Sequence, residues 1–266
     1  MSWGSGDFLG GLFSRRFAVE VVAVLSQLGA LGCAVIAALV FGGLTPSGIE
    51  LGILAGICGG LGSVTYYRAL ALGTMSVVAP IAACGAVFSL ALALAGGERP
   101  APLKLAGALI AFSGAVLASF HERQRGGASS RSITLAGITA VLFGALLFLL
   151  GRASDEGGAV SALIGSRFAA FALLALWVAL VGGRLPGRQP GAVGKILLCG
   201  VLGSVANALY GLSAERGLLS ITSLLASLYP VTTMFLAYLV LNERLSSIQA
   251  IGVLVALSGI TLVVVG

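Results

Sequence analysis

Apolar runs of about 20 residues, the length that crosses a bilayer as a helix, follow one another along this chain with only short polar or Gly/Pro breaks between them. They cover residues 18–43, 49–72, 75–95, 103–120, 133–151, 159–181, 193–214, 218–241 and 246–266, and a shorter run, 1–14, precedes the pair Arg15-Arg16. The pattern predicts an all-α polytopic membrane protein of ten transmembrane helices, the first one short.

The runs are not independent of one another. At an offset of 144, Tyr66 matches Tyr210, Gly73 matches Gly217, Ser76 matches Ser220 and Leu92-Ala93 matches Leu236-Ala237. One inserted residue moves the offset to 145, where Glu98-Arg99 matches Glu243-Arg244, Gly107 matches Gly252 and Ser113-Gly114 matches Ser258-Gly259. Earlier in each half, at an offset of 140, Gly4 matches Gly144, Phe8-Leu9 matches Phe148-Leu149, Ser26 matches Ser166 and Gly42-Gly43 with Pro46 matches Gly182-Gly183 with Pro186. The chain therefore divides into a first repeat over 1–120, a polar linker over 121–132 and a second repeat over 133–266. Each repeat holds five spans, and an odd number of crossings sends the second copy into the membrane from the opposite side, so the repeats are expected to be inverted. By the same offset, residues 133–140 have no counterpart at the start of the chain. Either the first helix is short, or the start codon lies upstream, or the chain has been trimmed; residues 1–14 lack the basic n-region and small-residue cleavage site of a signal peptide.

Composition narrows the class. With 58% hydrophobic and 9% charged residues, there is too little polar surface to cover a water-soluble globule of this length, and lipid is the expected solvent. The formal charge of +6 comes from arginines placed singly or in pairs between apolar runs. That placement reads as juxtamembrane anchoring and not as a nucleic-acid surface. Arginine's excess over lysine, with the richness in Ala, Gly and Leu, points to a GC-rich bacterial genome and hence to a bacterial inner (plasma) membrane. Cys33, Cys58, Cys84 and Cys199 are isolated within apolar spans, which reads as packing and offers neither a metal site nor a disulfide framework. The single histidine, His121, opens the polar linker and reads as solvated. No cofactor motif is present, and the absence of GxxxxGK[ST] leaves a gradient as the energy source.

Several segments resemble the drug/metabolite transporter superfamily, specifically a tandem pair of EamA-type domains. They are Trp3-Gly-Ser-Gly-Asp-Phe8, then Tyr66-Tyr-Arg-Ala-Leu-Ala-Leu-Gly73 with Ser76-Val-Val-Ala-Pro80. The second half contributes Leu219-Ser-Ile-Thr-Ser-Leu-Leu-Ala-Ser-Leu-Tyr-Pro-Val231 with Asn242-Glu-Arg-Leu245 and Gln249-Ala-Ile-Gly252. The resemblance implies ten helices, both termini in the cytoplasm, and alternating access around a central cavity. The distribution of Lys and Arg among the connections instead places both termini outside by the positive-inside rule, and the two expectations differ.

Candidate binding residues sit inside the spans. Asp7 is an acidic residue within an apolar run, where an uncompensated carboxylate costs about 2.5 to 3.5 kcal/mol on insertion scales, so it is expected to face a cavity or carry a proton. Trp3 lies one turn earlier on the same face, and the partners of the two in the second half are Phe143 and Leu147: the aromatic is kept and the carboxylate is not. Gly59, Ser63 and Tyr66 share a helical face, matched at offset 144 by Gly203, Asn207 and Tyr210, which makes them paired walls of a central pocket or, equally, a helix contact with interhelical hydrogen bonds. Ser220, Ser223 and Ser227 recur at helical spacing before Tyr229-Pro230, where proline frees the carbonyl of Ala226; the row offers either a polar wall or helix-to-helix bonding. Glu98-Arg99 and Glu243-Arg244, kept in both halves, read as parts of the duplicated scaffold. Glu20, Arg68, Arg167 and Glu215-Arg216 read as span-end or snorkelling charges.

The function these features lead to is secondary transport, by export, of a small organic metabolite such as an amino acid, amine or drug-like solute, by a monomer or homodimer. The alternative is a non-transporting subunit or a component of a lipid-linked-substrate flippase. An intramembrane enzyme is not expected, because no serine has a histidine within a span and no ligand cluster such as HExxH exists.

Overall fold

The computed structural model describes residues 2–73, 75–119, 129–181, 190–226, 228–229, 231–232 and 247–265. The described residues are helical almost throughout: α1 (Ser2–Ser14), α2 (Val19–Phe41), α3 (Pro46–Leu72), α4 (Met75–Ala83), α5 (Gly85–Ala95), α6 (Pro102–Ser119), α7 (Ser130–Gly157), α8 (Ala159–Val181), α9 (Pro190–Ala214), α10 (Leu219–Ala226) and α11 (Ser247–Val265). Helix is what lipid demands of such a chain, since it satisfies the backbone within each segment. Among the described residues, α2, α3, α7, α8 and α9 are each long and apolar enough to cross a bilayer, and Ile81–Ala95, from the end of α4 through α5, and Pro102–Leu117 of α6 are shorter apolar helical stretches. The fold is an all-α polytopic membrane protein. Large apolar side chains on its outside, Leu39, Phe41, Leu180 and Leu254 among them, are mostly exposed, as lipid-facing residues are.

Local chemistry sets the helix ends. After α2 the chain turns through Gly42 and Gly43, both at positive φ, a conformation that favours glycine. Thr45 then caps α3, its hydroxyl accepting from the Gly48 amide, and Pro46 opens the helix. The run over 75–95 is not one helix: it breaks at Cys84 into α4 and α5. The helix α7 runs past the apolar stretch that predicts it, because Arg152 and Glu156 pair at i,i+4 (2.5 Å) and the end comes only at Gly158, at φ 85°. Charge ended the apolar run but not the helix.

Packing follows small residues. The helix α3 lies along α7 and α8, α2 along α8 and α9, α1 along α9, and α6 along α11. Replacing each helix by its offset partner (α1 with α7, α2 with α8, α3 with α9, α6 with α11) returns the same set of contacts. The reciprocity extends to single residues. A methyl on Gly56 would sit 2.8 Å from the carbonyl carbon of Ser166, and one on Gly200, the offset partner of Gly56, would sit 2.6 Å from that of Ser26, the offset partner of Ser166. Gly114 meets Ala256 and Gly259 meets Ala111 in the same crossed fashion, each with a methyl-to-Cα approach of 2.7 Å. Backbones this close are characteristic of helix association in lipid, where small residues and dispersion drive assembly.

Candidate functional site

Between α1, α2, α3, α7, α8 and α9, with the end of α4, the start of α5 and the end of α10 completing the wall, lies a cavity of about 130 Å³, roughly ten times the space one water needs. Its wall is mainly apolar and aromatic, with a few polar groups, the usual make-up of a small-molecule site.

Two aromatic pairs are exchanged by the offsets. The ring of Tyr66 meets that of Phe143 edge-on at 5.6 Å, and that of Tyr210 meets Trp3, the offset partner of Phe143, at 5.9 Å. Trp3 also approaches Tyr229 edge-on at 6.4 Å. The hydroxyl partners then diverge. Tyr66 donates to Asp7 Oδ2 at 3.4 Å, whereas Tyr210 donates to the carbonyl of Leu147 at 2.8 Å, and Leu147 is the offset partner of Asp7. One half therefore presents a carboxylate where the other presents backbone.

The polar groups form short chains. Trp3 Nε1 donates to Asn207 Oδ1 at 2.7 Å, which fixes the amide's orientation because an indole nitrogen only donates; Asn207 Nδ2 is then buried with no partner among the described residues. Gln27 Nε2 donates to Ser63 Oγ at 3.3 Å, and Ser63 in turn donates to the carbonyl of Gly59. Arg167 Nη1 donates to Gln27 Oε1 at 3.2 Å, while Arg167 Nε is buried without a partner among the described residues.

Of the residues singled out in the sequence, Trp3, Asp7, Ser63, Tyr66, Phe143 and Asn207 line the cavity. Tyr210 and Ser223 are not in its wall: Ser223 bonds to Tyr210 and to Ser89, both at 2.8 Å, and so ties α10 to α9 and α5. Ser227 and Pro230 lie outside the described residues, as do Glu243-Arg244 and His121. Asp7 bonds to Tyr66 inside the bundle, while Arg15 and Arg16 are exposed. Arg167 departs from its expected place at a span end. It lies in the middle of α8, lines the cavity and is held there by an amide from α2. Gln27 went unnoticed in the sequence although it stands 140 positions before Arg167, immediately after the matched pair Ser26 and Ser166; the two residues differ in type, so the match ended one position early. Among the described residues there is no group of three or more His, Cys, Asp or Glu side chains able to hold a metal ion.

The EamA-like transporter family model matches residues 131–265, just over half of the chain. The chain belongs to the EamA-like transporter family. As an EamA-like protein it is a membrane transporter of the drug/metabolite type, and the family is not one of enzymes. The matched region begins within two residues of the second repeat marked by the internal offsets. No curated protein matches this EamA-like chain in sequence. Among the solved structures similar to it is a crystal structure with a TM-score of 0.74 over 99% of this chain and 95% of the other, at 18% sequence identity, which is a likeness of fold.

Proposed function

We propose that the chain is a secondary transporter that moves a small organic metabolite out of a bacterial cell across the inner membrane, by alternating access between two inverted five-helix repeats, 1–120 and 133–266. The cavity is the substrate site in this reading, lined by Trp3, Asp7, Ser63, Tyr66, Phe143 and Asn207. The observation that carries it is a reciprocity of packing around the cavity: the Tyr66–Phe143 and Tyr210–Trp3 pairs, and the Gly56–Ser166 and Gly200–Ser26 contacts, are exchanged by the repeat offsets, and five of these residues, Trp3, Ser26, Tyr66, Phe143 and Gly200, line the cavity. A site between two such halves is one that rocking can expose to either face in turn.

Gly203 supplies the test. It lines the cavity, and a Cβ there meets nothing within 4 Å, so a side chain at this position starts in open space, and Gly203→Phe is expected to fill part of the cavity. Purified protein in liposomes is expected to sustain counterflow of an accumulated metabolite mixture, and Gly203→Phe to stop it while keeping the thermal stability of the parent. Counterflow that continues undiminished through the filled cavity would remove this site from the pathway.

A further inference from the structure

We propose that the cavity binds a zwitterionic solute, its carboxylate held by Arg167 and its ammonium facing Asp7; the assignment rests on the cavity being the transport site proposed above. Two charged side chains line that cavity among the described residues, one of each sign, and they are Arg167 and Asp7. Neither has a counter-ion among the described residues. The ion pairs among the described residues are Arg68 with Glu20 and Arg152 with Glu156, both away from this wall.

An arginine keeps its charge under all ordinary conditions, and a buried charge is costly unless it is paired and hydrogen-bonded. Arg167 receives only half of this from the fold. Its Nη1 is occupied by the neutral amide of Gln27 at 3.2 Å, and its Nε is buried with nothing to donate to among the described residues. The carboxylate of Asp7 has one hydroxyl among the described residues, from Tyr66, at a long 3.4 Å. Each group thus has an incomplete set of partners and opens on the same space.

The chemistry of the occupant follows from that balance. An amine lacking an acid group leaves Arg167 unanswered, and a carboxylic acid lacking an amine leaves Asp7 unanswered. A phosphate monoester satisfies Arg167 but sets up to two negative charges in a cavity that already holds Asp7. A solute with one carboxylate and one ammonium answers both charges with no net charge of its own. Asn207 Nδ2, buried and without a partner among the described residues, adds a polar donor to the wall, and Trp3 adds an aromatic ring, a group that attracts cations.

The test is binding to the purified full chain in detergent, read by ligand-dependent thermal shift and titration calorimetry. The probes are alanine, leucine and phenylalanine, each beside the amine that lacks its carboxylate and the acid that lacks its ammonium, together with 3-methylbutyl phosphate. At least one amino acid is expected to bind more tightly than its amine, its acid and the phosphate ester. Arg167→Gln is expected to weaken that amino acid on the order of 10- to 100-fold, the worth of a charge-assisted hydrogen bond, and to leave the amine unchanged. Gln27→Glu supplies an internal carboxylate to Arg167 and is expected to do the same without removing the arginine, so it decides the matter if Arg167→Gln fails to fold. Asp7→Asn is expected to abolish the preference for the amino acid over the acid.

Failure of all three amino acids to bind, binding of an amine or of the phosphate ester as tight as that of the amino acid, or equal amino-acid affinity in Gln27→Glu and the parent would overturn the assignment. Because binding is read without flux, the two proposals fail separately. The expected binding pattern with no counterflow in liposomes sinks the transport reading alone, and counterflow confined to solutes without a carboxylate sinks this one alone.

Discussion

Gln27 and Arg167 occupy the same position in the two repeats, 140 residues apart, and they hydrogen-bond to each other at 3.2 Å. In the proposed arrangement of two inverted repeats, residues related by the two-fold axis touch one another only where they lie beside it, so on that reading this bond marks where the axis passes through the bundle; both residues line the cavity. The pair is also the least symmetric choice for such a place, an amide against a guanidinium. Removing the amide with Gln27→Leu strips Arg167 of its partner among the described residues, and a lost hydrogen bond to a charged group costs about 1.5–3 kcal/mol. Replacing both by Leu removes the buried charge with its partner, and that change is expected to cost less than Gln27→Leu alone. Thermal unfolding of the two single variants and the double variant in one detergent checks the order; a double variant less stable than either single one contradicts it.

Helix contacts at Gly56 and Gly200 predict a second asymmetry, between glycines that look alike in the sequence. At Gly200 an added methyl would overlap the carbonyl of Ser26, and at Gly56 that of Ser166, so α2 must part from α9, or α3 from α8, to admit it. Overpacking of this kind costs about 1–3 kcal/mol or more where backbone is the obstacle. Gly32 lies on α2 with nothing within 4 Å of an added Cβ, and alanine there gains up to about 1 kcal/mol of helix propensity. The expected ranking of thermal stability is therefore Gly32→Ala at or above the parent, and Gly56→Ala and Gly200→Ala well below it.

Glu98 makes a third case. Its two carboxylate oxygens accept from the amides of Leu219 at 3.1 Å and Ser220 at 3.0 Å, so the turn that follows α5 caps the first turn of α10 in the other half. Negative charge on free amides at a helix N-terminus is favourable, and this cap joins two segments far apart in the chain. Glu98→Gln keeps one acceptor and loses the charge; Glu98→Ala loses both and is expected to cost about 1–2 kcal/mol. Hydrogen exchange at the amides of Leu219 and Ser220 reads the effect directly, rising in Glu98→Ala and rising less in Glu98→Gln, with no change in α2.

Glu98 also illustrates how far the chain can be read without coordinates. Its retention beside Glu243 in both halves marks it as scaffold, and the cap supplies the physical reason. The apolar runs locate the helices well because hydropathy follows the length a helix needs to cross lipid, yet the same signal ends α7 too early at Gly151, since Arg152 and Glu156 end the apolar run without ending the helix. Spacing placed Ser63, Tyr66 and Asn207 on matching faces, and those faces do line one cavity. For Ser223 the spacing was no less regular, but periodicity names a face and not the neighbour it meets; the neighbours are Ser89 and Tyr210, and the hydroxyl is used up between helices. Arg167 was the largest departure. A cation in an apolar run is expected to snorkel outward, and only the placement of Gln27 beside it, from another helix, holds it inward.

Tyr66 and Tyr210 give the last prediction, because the repeat makes them equivalent while their acceptors differ. The hydroxyl of Tyr210 serves Leu147 and Ser223, both parts of the framework, and Phe in its place leaves a buried carbonyl and a serine short of a partner. The expected loss is about 1–3 kcal/mol, visible as a lower unfolding temperature, with solute affinity per folded molecule close to that of the parent. The hydroxyl of Tyr66 serves Asp7, in the cavity wall. Tyr66→Phe keeps the ring against Phe143 and removes one donor from a carboxylate that the proposed solute also approaches, so affinity is expected to change while the unfolding temperature moves less than in Tyr210→Phe. Measuring both quantities on both variants separates a framework tyrosine from a site tyrosine; an equal loss of stability with unchanged affinity in the two would mean that the repeat had kept one role for both.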